Sequence, residues 1–388
     1  MANVLVTDGL LRKSLAATRS LGQLGLVVHT ADKTRCTPSA FSKHSRKALL
    51  SPDSVTETER YADWLLHTLR TGGYQVLFPM DDGALDAVYA HHGEVDSLCA
   101  CPLPPERAYR IASDKWETVQ LAQQAGVPVP DAWCPESREE LAALVSDLTY
   151  PVVVKPRRSS GSRGIRIAKD RDELLRLYAE AVQTYPQPMI QACIPLGDRF
   201  DVCLLYNRDG EVRASFVQRE VRHFPLPIGP STVQESVHLP ELIEQTTRLL
   251  ETLSWHGVVE IEYMRDPRDG VYKLMEINPR FWNSLALAVQ SGVDFPQLLY
   301  QVAMTGDAEP VHAYEVGRLC RNLLPGDLLH CLSNPQRREM APPLFAKGGL
   351  KVSDDILSRE DPLAAVGFAA GCLRYLFDRR LWRMMFRR

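Results

Sequence analysis

The sequence is poor in the features that mark membrane proteins, nucleic-acid-binding proteins and disulfide-rich proteins. No apolar run in its 388 residues approaches the roughly 20 that a membrane-spanning helix needs. The net charge of −3 gives no whole-molecule attraction to nucleic acid. The nine cysteines are an odd number, and no spacing between them matches a zinc site. We therefore expect reduced thiols.

Two further absences narrow the class of protein. The first residues, MANVLVTDG, do not combine a basic segment with an apolar run, so we expect no signal peptide and a cytoplasmic location. The glycine pattern G-x-G-x-x-G is also missing, which disfavours a Rossmann oxidoreductase. The composition is that of an ordinary globular protein, with 45% hydrophobic and 24% charged residues, and the chain is long enough for two or three domains.

The first hundred residues alternate strand and helix patterns. Strands are predicted at residues 3–7, 24–30 and 75–78, and helices at 10–21, 58–71 and 84–92. This alternation predicts a parallel sheet in a small Rossmann-like domain. Asp81 and Asp82 follow the third strand, where open α/β sheets bind ligands, so they either contact substrate or cap the next helix.

A lysine precedes a loop rich in glycine and serine. The β-branched stretch at residues 152–154 predicts a strand that ends at Lys155, and the loop runs over residues 157–164. Small side chains leave backbone N–H groups free to approach an anion, and the lysine adds a positive charge for a phosphate. The alternative is a flexible turn between two strands whose arginines are solvated.

Carboxylates occupy one face of a predicted β-hairpin further along the chain. Its strands are residues 258–264 and 271–277; Glu260 and Glu262 share a face of the first, and Glu276 and Asn278 share a face of the second. Pairing of the strands would bring these oxygen donors together beside Arg280, as Mg²⁺ bound to phosphates requires. The alternative is a hairpin with one polar face.

Taken in order, these features resemble the ATP-grasp superfamily of carboxylate–amine and carboxylate–thiol ligases, which includes biotin carboxylase, carbamoyl phosphate synthetase and D-alanine–D-alanine ligase. The resemblance rests on Lys115 at a helix start, Lys155 before the loop, the linking strand Gln191–Ile194, and Glu260 with Glu276-x-Asn278. It covers about residues 1–310. It implies a mixed α/β and α+β architecture: a Rossmann-like pre-ATP-grasp domain (1–112), an ATP-grasp domain of two subdomains (113–190 and 191–310), and a helical C-terminal extension (311–388).

The resemblance also implies roles for individual residues. ATP would be held by Lys115, Lys155, the loop residues Ser160, Gly161, Ser162 and Gly164, the adenine-side residues Gln191, Cys193 and Ile194, and Asp201 (or else Asp198) at the ribose. Mg²⁺ would be bound by Glu260, Glu276 and Asn278, with Glu262 competing for the first position. The transferred phosphate would be steadied by Arg280, Arg219 and Arg222. Gln191 stands where relatives usually carry an acidic residue, and its amide oxygen still offers an acceptor to the adenine amino group.

The implied activity is ATP-dependent joining of a carboxylate to an amine through an acyl phosphate, with an amino acid or peptide as substrate. The cofactors would be ATP and a pair of Mg²⁺ ions, for which Mn²⁺ can substitute. Alternatives are a ligase whose substrate is bound to a carrier protein, and a non-catalytic nucleotide-binding regulator. A homodimer is compatible with the family. The basic, amphipathic stretch at residues 368–388 is predicted to be a helix that packs on the body rather than on a membrane.

Overall fold

The computed structural model describes residues 3–159, 161, 163–226, 229–344 and 352–376. Three sheets organise this part of the chain: a parallel sheet of four strands, an antiparallel sheet of four strands and a mostly antiparallel sheet of seven. Among the described residues, no helix combines the length and the apolar character needed to cross a membrane.

The N-terminal sheet confirms the Rossmann-like prediction. All its pairs are parallel and its strand order is β3-β2-β1-β4. Its strands are β1 (Asn3–Val6), β2 (Val27–Asp32), β3 (Ser45–Leu50) and β4 (Val76–Phe78). The accompanying helices are α1 (Arg12–Gln23), α2 (Pro38–Phe41), α3 (Thr58–Gly72), α4 (Asp82–Ala90) and α5 (His92–Leu98). The sequence did not predict β3, because this half-exposed edge strand lacks a buried apolar face.

The second, smaller sheet is antiparallel and carries Lys155 at the end of its central strand β6. Its strand order is β5-β8-β6-β7. The strands are β5 (Ala132–Trp133), β6 (Val152–Lys155), β7 (Arg166–Ala168) and β8 (Met189–Ala192). The helices that lead into it or cover it are α6 (Glu106–Ser113), α7 (Lys115–Gln124), α8 (Arg138–Leu144) and α9 (Arg171–Val182).

The large sheet contains the predicted hairpin at one edge and has the order β13-β12-β9-β10-β11-β14-β15. Its strands are β9 (Arg199–Tyr206), β10 (Val212–His223), β11 (Ser231–Val237), β12 (Gly257–Arg265), β13 (Tyr272–Asn278), β14 (Leu319–Arg321) and β15 (Val352–Asp354). The remaining helices are α10 (Pro240–Glu251), α11 (Leu285–Gln290), α12 (Phe295–Thr305), α13 (Leu328–Ser333) and α14 (Pro362–Leu376).

The two faces of the large sheet differ. One face packs its apolar side chains against α10, with Val202 and Ile261 wholly buried there. The other face is apolar at one end, where Leu205 and Phe216 meet α11, α12 and the N-terminal domain in a shared core. The other end of this second face carries the polar residues described below. The shared core fixes the N-terminal domain against the sheet that bears the carboxylates.

The C-terminal segment closes back onto the start of the chain. Strands β14 and β15 extend the large sheet, and α14 packs on α2, where a Cβ on Gly367 would lie 2.4 Å from the Thr37 carbonyl oxygen. Asp355 pairs with Arg12, and Asp361 accepts the Arg19 Nε–H at 2.9 Å. The C-terminal region therefore belongs partly to the large sheet and partly to the N-terminal domain. Residues 377–388 of the predicted basic helix lie outside the described residues.

Candidate functional site

A cleft of about 290 Å³ separates the small sheet from the polar end of the large sheet; we call it the intersheet cleft. One wall comes from β6, β7 and β8, and the other from β9, β10, β12 and β13. It is lined by the predicted site residues Lys115, Lys155, Gln191, Cys193, Ile194, Asp201 and Glu276. The structure thus gathers residues that lie up to 161 positions apart in the sequence (115 to 276).

Two lysines form the positive side of the intersheet cleft. Lys115 begins α7, whose N-terminus is capped by the Asp114 carboxylate, and its Nζ donates to the Ser159 carbonyl at 2.6 Å. Lys155 is buried, and its Nζ donates to the Gln191 Oε1 at 2.8 Å. Burial and the neighbouring Lys115 lower the pKa of Lys155 to about 8. An anion in the cleft would relieve this repulsion.

The carboxylate hairpin forms as predicted. Glu260 lies opposite Asn278, and Glu262 opposite Glu276, in the β12–β13 pairing. The Asn278 amide donates to Glu262 at 3.2 Å, and Glu276 lies 3.0 Å from the Lys115 Nζ. Of these four residues, Glu262 and Glu276 line the cleft, and Glu276 lies beside Lys115.

Burial and neighbouring charges shift the pKa values of these carboxyl groups in opposite directions. Burial raises the pKa of Glu260 to about 8, against the opposing effect of Arg280, and raises that of Glu262 together with repulsion from Glu276 and Glu260. Burial alone would raise the pKa of Glu276 as well, but Lys115 holds it down at about 2. The described residues contain no ready-made group of three His, Cys, Asp or Glu ligands for a metal.

The donor set nevertheless fits Mg²⁺ bound together with phosphates. Mg²⁺ takes oxygen ligands and usually keeps few of them from protein, the rest coming from phosphates and water. Glu260, Glu276 and the Asn278 amide oxygen supply such donors, and the Asn278 amide nitrogen is turned towards Glu262 and Glu276.

Part of the lining of the intersheet cleft is apolar. Val153, Ile165 and Ile167 line one side, and Met264 and Met275 line the other. Such a slot suits a flat aromatic ring. Cys193 and Ile194 also line the cleft.

Gln191 makes a different contribution from the one that the sequence suggested. Its side-chain oxygen is occupied by Lys155, whereas its buried Nε2 has no partner among the described residues. The group left for a ligand is therefore the amide donor, and not the acceptor. The sequence could not show this because the choice follows from the contact with Lys155.

Asp201 is buried in the middle of the carboxylate wall. It accepts the Gln218 Nε2–H at 2.7 Å and lies opposite Glu262 in the β9–β12 pairing. Burial and the nearby Glu220 and Glu260 raise its pKa. Between the two residues considered for the ribose, Asp201 lines the intersheet cleft. Asp198 instead lies before β9, and its carbonyl oxygen accepts the Arg265 N–H.

Arg280 stands beyond the carboxylate hairpin, at the boundary with the N-terminal domain. Its Nε donates to Asp82 at 2.6 Å and lies 3.9 Å from Asp81. Lys13, buried on α1, donates to Asp81 at 3.1 Å and to the Phe281 carbonyl at 3.2 Å. Asp81 and Asp82 thus bind the basic residues beside the site, and the N-terminal domain takes part in holding Arg280.

Part of the glycine-rich loop can be described. Gly161 and Gly164 have φ angles of 63° and 79°, a left-handed conformation that glycine adopts without strain. The loop is tied down at its start, because Arg157 pairs with Asp114 at 2.8 Å. Ser160 and Ser162, which the resemblance places on the phosphates, lie outside the described residues.

A family model described as "ATP-grasp domain" matches residues 112–284. These residues carry both walls of the intersheet cleft. The chain contains an ATP-grasp domain.

Curated relatives are similar to this ATP-grasp region at low identity. Mitochondrial acetyl-CoA carboxylase of Saccharomyces cerevisiae is 25% identical over 235 residues, which cover 52% of this chain and 10% of the relative. D-alanine–D-alanine ligase of Pseudomonas entomophila is 25% identical over 216 residues, covering 50% of this chain and 64% of that ligase. The chain thus spans about a tenth of the length of the carboxylases that it matches.

Solved structures share the fold over most of the chain. The biotin carboxylase domain of 2-oxoglutarate carboxylase from Hydrogenobacter thermophilus, in complex with MgADP and bicarbonate, has a TM-score of 0.69 at 16% identity. It covers 81% of this chain, and the match covers 73% of that domain. N5-carboxyaminoimidazole synthetase from Staphylococcus aureus has a TM-score of 0.65 at 14% identity and covers 90% of this chain and 91% of its own. The fold predicted from the sequence is confirmed.

Several of the predicted site residues do not line the intersheet cleft of the ATP-grasp domain: Gly161, Gly164, Glu260, Asn278, Arg280, Arg219 and Arg222. Arg219 alternates with the cleft-facing Glu220, so it points to the opposite face, where it pairs with Glu235 at 2.6 Å. Arg222 follows an irregularity in the β10–β11 register and is buried 3.1 Å from Asp327. The expectation that both lie beside the transferred phosphate is therefore corrected.

The sequence analysis missed several residues that the fold brings to the site. Arg199 and Glu220 face each other across β9 and β10 and line the cleft, 3.5 Å apart. The alternation of side chains along a strand could have identified Arg199, because it lies two residues before Asp201 and therefore on the same face. Lys13 carried no signal, since a single lysine in an amphipathic helix normally faces solvent.

Proposed function

We propose that this protein is an ATP- and Mg²⁺-dependent ligase that activates a carboxylate as an acyl phosphate and joins it to an amine. One observation carries the proposal: Lys115, Lys155 and Glu276 line a single cleft inside an ATP-grasp domain, with Glu276 3.0 Å from the Lys115 Nζ. A carboxylate is a poor electrophile, and phosphorylation gives it a leaving group. Phosphoryl transfer needs positioning and charge neutralisation, which are what these side chains supply.

In this proposal each wall of the cleft has its own task. Lys115 and Lys155 hold the phosphates of ATP, and the apolar slot with the Gln191 amide holds the adenine. Glu260, Glu276 and Asn278 would hold one or a pair of Mg²⁺ ions, with Mn²⁺ as a substitute; bound metal neutralises charge on the phosphate oxygens. Arg280, held by Asp82, stabilises the phosphorylated carboxylate.

The substrates are proposed to be a small-molecule carboxylate and an amine of the amino acid or peptide class. The names of the relatives support the reaction class: D-alanine–D-alanine ligase joins amino acids, and the carboxylase domain named above was solved with MgADP and bicarbonate. A carrier-bound substrate and a homodimer are compatible with this proposal. A cytoplasmic location is proposed from the sequence alone.

The proposal can be tested by following ADP and phosphate release from ATP in the presence of pooled amino acids. Mass spectrometry of the same mixture would identify a joined product. We expect release that requires Mg²⁺ and both substrates, with one equivalent of product for each ADP. Tight ATP binding without any turnover would instead favour a nucleotide-binding regulator. Phosphate release without a joined product would contradict the ligase assignment.

A further inference from the structure

The last described helix, α14, turns large apolar side chains towards solvent. Leu363, Val366 and Leu373 are 58%, 53% and 58% exposed. Their spacing places them on one side of the helix. Among the residues of α14 whose side chains the structure describes, every exposed one is apolar: Pro362, Leu363, Val366, Ala369 and Leu373. We call these five residues the α14 face.

The opposite side of α14 packs on the body through small residues. Ala364 is wholly buried. A Cβ on Gly367 would lie 2.4 Å from the Thr37 carbonyl oxygen. A Cβ on Gly371 would lie 3.0 Å from the Cys36 carbonyl oxygen. These close approaches hold α14 against α2 with its larger side chains outward.

This arrangement is the reverse of an ordinary surface helix. Such a helix turns its large apolar side chains towards the core and its polar ones towards water. Single exposed apolar residues are common on proteins, whereas several on one continuous face mark a surface that binds a partner. The α14 face is therefore an interaction surface.

The surface beside the α14 face is basic. Residues 33–52, which include α2 and β3, contain five Lys or Arg residues and no Asp or Glu. Lys33 pairs with Asp53. Arg359 and Glu360, both exposed just before α14, offset each other's charge. The other basic residues of this range are exposed: Arg35, Lys43, Arg46 and Lys47.

These basic residues flank α14 because α2 and its neighbours run alongside it. The Lys43 backbone N–H donates to the Asp361 carboxylate, just before α14, at 2.9 Å. Asp361 itself is buried and adds no exposed negative charge. Towards the other end of the helix, the Cys36 carbonyl oxygen approaches Gly371. Lys43 and Arg35 therefore lie near opposite ends of the α14 face.

The sequence that follows α14 has the same two features, positive charge and large apolar residues. Residues 377–388 contain five arginines and one aspartate. Their apolar residues are Phe377, Leu381, Trp382, Met384, Met385 and Phe386. Arginine combined with aromatic and other large apolar residues is typical of segments that lie on the surface of anionic membranes.

The charges favour an anionic lipid surface over a second copy of this chain. A twofold interface uses the same patch on both subunits, so two copies paired through the α14 face would bring identical basic surfaces together. Anionic headgroups instead attract Lys and Arg side chains. The boundary between headgroups and acyl chains receives large apolar side chains such as Leu363.

We propose that the α14 face, with the basic residues beside it, binds the surface of an anionic membrane. The sequence alone favoured a terminal helix that packs only on the body. The described part of α14 does pack there, but its outward side chains are apolar. This inference does not rest on the proposed function, because membrane binding requires neither nucleotide nor turnover and is measured without them.

The test is flotation of the full chain with two kinds of vesicle. One kind is phosphatidylcholine alone, and the other is two parts phosphatidylcholine to one part phosphatidylserine. We expect the affinity for the anionic vesicles to be about tenfold or more above that for the neutral ones. Added salt should reduce it, because salt screens the attraction. No binding to the anionic vesicles, or equal binding to both kinds, would overturn the proposal.

A triple variant separates the apolar contact from the fold. The changes are Leu363→Gln, Val366→Gln and Leu373→Gln, since glutamine is a good helix former. The affinity for anionic vesicles should fall about tenfold or more, whereas Tm should stay the same or rise because these side chains are exposed. The matched control changes three residues that are 51%, 54% and 63% exposed elsewhere and should bind as the wild type: Val182→Gln, Val316→Gln and Leu332→Gln. Wild-type affinity in the α14 variant would refute the docking surface.

Charge variants and sedimentation test the choice of partner. Lys43→Gln combined with Arg46→Gln, and Arg379→Gln combined with Arg380→Gln, should each weaken binding to the anionic vesicles. Unchanged affinity in both would overturn the assignment to an anionic surface. Sedimentation measures whether copies of the chain associate. A wild-type dimer that the triple variant loses, without any vesicle binding, would show instead that the α14 face joins two copies.

Discussion

Replacing Glu276 by glutamine tests the carboxylate wall most directly, because it keeps the shape of the side chain and removes its charge. Glu276 lies 3.0 Å from the Lys115 Nζ and is one of the proposed Mg²⁺ ligands. We expect Glu276→Gln to lower Mg²⁺-dependent ADP release at least about a hundredfold, the scale of losing one strong charge-stabilising group, about 3 kcal/mol.

The effect of Glu276→Gln on folding should be smaller and can be bounded from the structure. The pKa of Glu276 falls from 4.5 to about 2, and at 1.36 kcal/mol per unit this corresponds to about 3 kcal/mol of stability. Because the folded pKa is the lower one, this contribution is present above about pH 4.5 and is lost as the pH falls towards 2. The substitution also removes repulsion on Glu260 and Glu262, so the net loss at neutral pH should be below this bound.

Calorimetry of ATP binding, with Mg²⁺ and with EDTA, completes the assay. The wild type should bind ATP more tightly with Mg²⁺, and Glu276→Gln should lose most of that difference while its Tm changes little. Glu180→Gln, on the exposed surface of α9, is the matched control and should behave as the wild type. Full turnover by Glu276→Gln, or an undiminished effect of Mg²⁺ on its ATP affinity, would refute the metal assignment.

Three further predictions concern charges elsewhere in the fold. Lys155→Met should weaken ATP binding about tenfold or more in calorimetry, because it removes a charge-assisted phosphate contact; unchanged affinity would exclude that role. Arg222→Ala should lower the free energy of unfolding by about 3–5 kcal/mol in urea, since it leaves Asp327 charged and buried, whereas the double change Arg222→Met with Asp327→Leu should recover most of the loss. A double variant as unstable as the single one would contradict this reading. Burial raises the pKa of Asp355 from 3.8 to about 6 despite Arg12, so its contribution to stability should decline by roughly 3 kcal/mol as the pH rises from about 4 to 6. Asp355→Asn should remove that slope, and an identical pH profile in wild type and variant would count against it.

The sequence was informative wherever a local pattern decides geometry. A period of two placed Glu260 with Glu262 and Glu276 with Asn278, and the antiparallel register then brought all four together. Arg219 was expected beside the transferred phosphate from the resemblance alone. It lies within β10, and alternation along that strand turns it away from the face of Glu220, which lines the cleft.

Features that are assembled from distant parts of the chain could not be predicted from the sequence. A cavity of about 160 Å³ at the carboxyl edge of the N-terminal sheet combines Asp8, Asp32 and Asp81, which follow or end three parallel strands, with Tyr61 from a helix. The sequence pattern that could have predicted this cavity is the recurrence of aspartate at strand ends, because those ends share one edge of the sheet. The orientation of the Gln191 amide had no local signal, because a contact with Lys155 determines it.

The return of the C-terminal segment to the first helix has a consequence for biosynthesis. Arg12 and Asp355 form their ion pair across 343 residues of chain. At about 5–20 residues per second a ribosome needs roughly 20 to 70 s to synthesise that interval. Once the N-terminal domain has left the exit tunnel, the surfaces of α1 and α2 that later receive Asp355 and α14 stay open to water until the C-terminal segment has been made. Nascent chains of this protein should therefore depend on chaperones more strongly than an isolated Rossmann-like domain would.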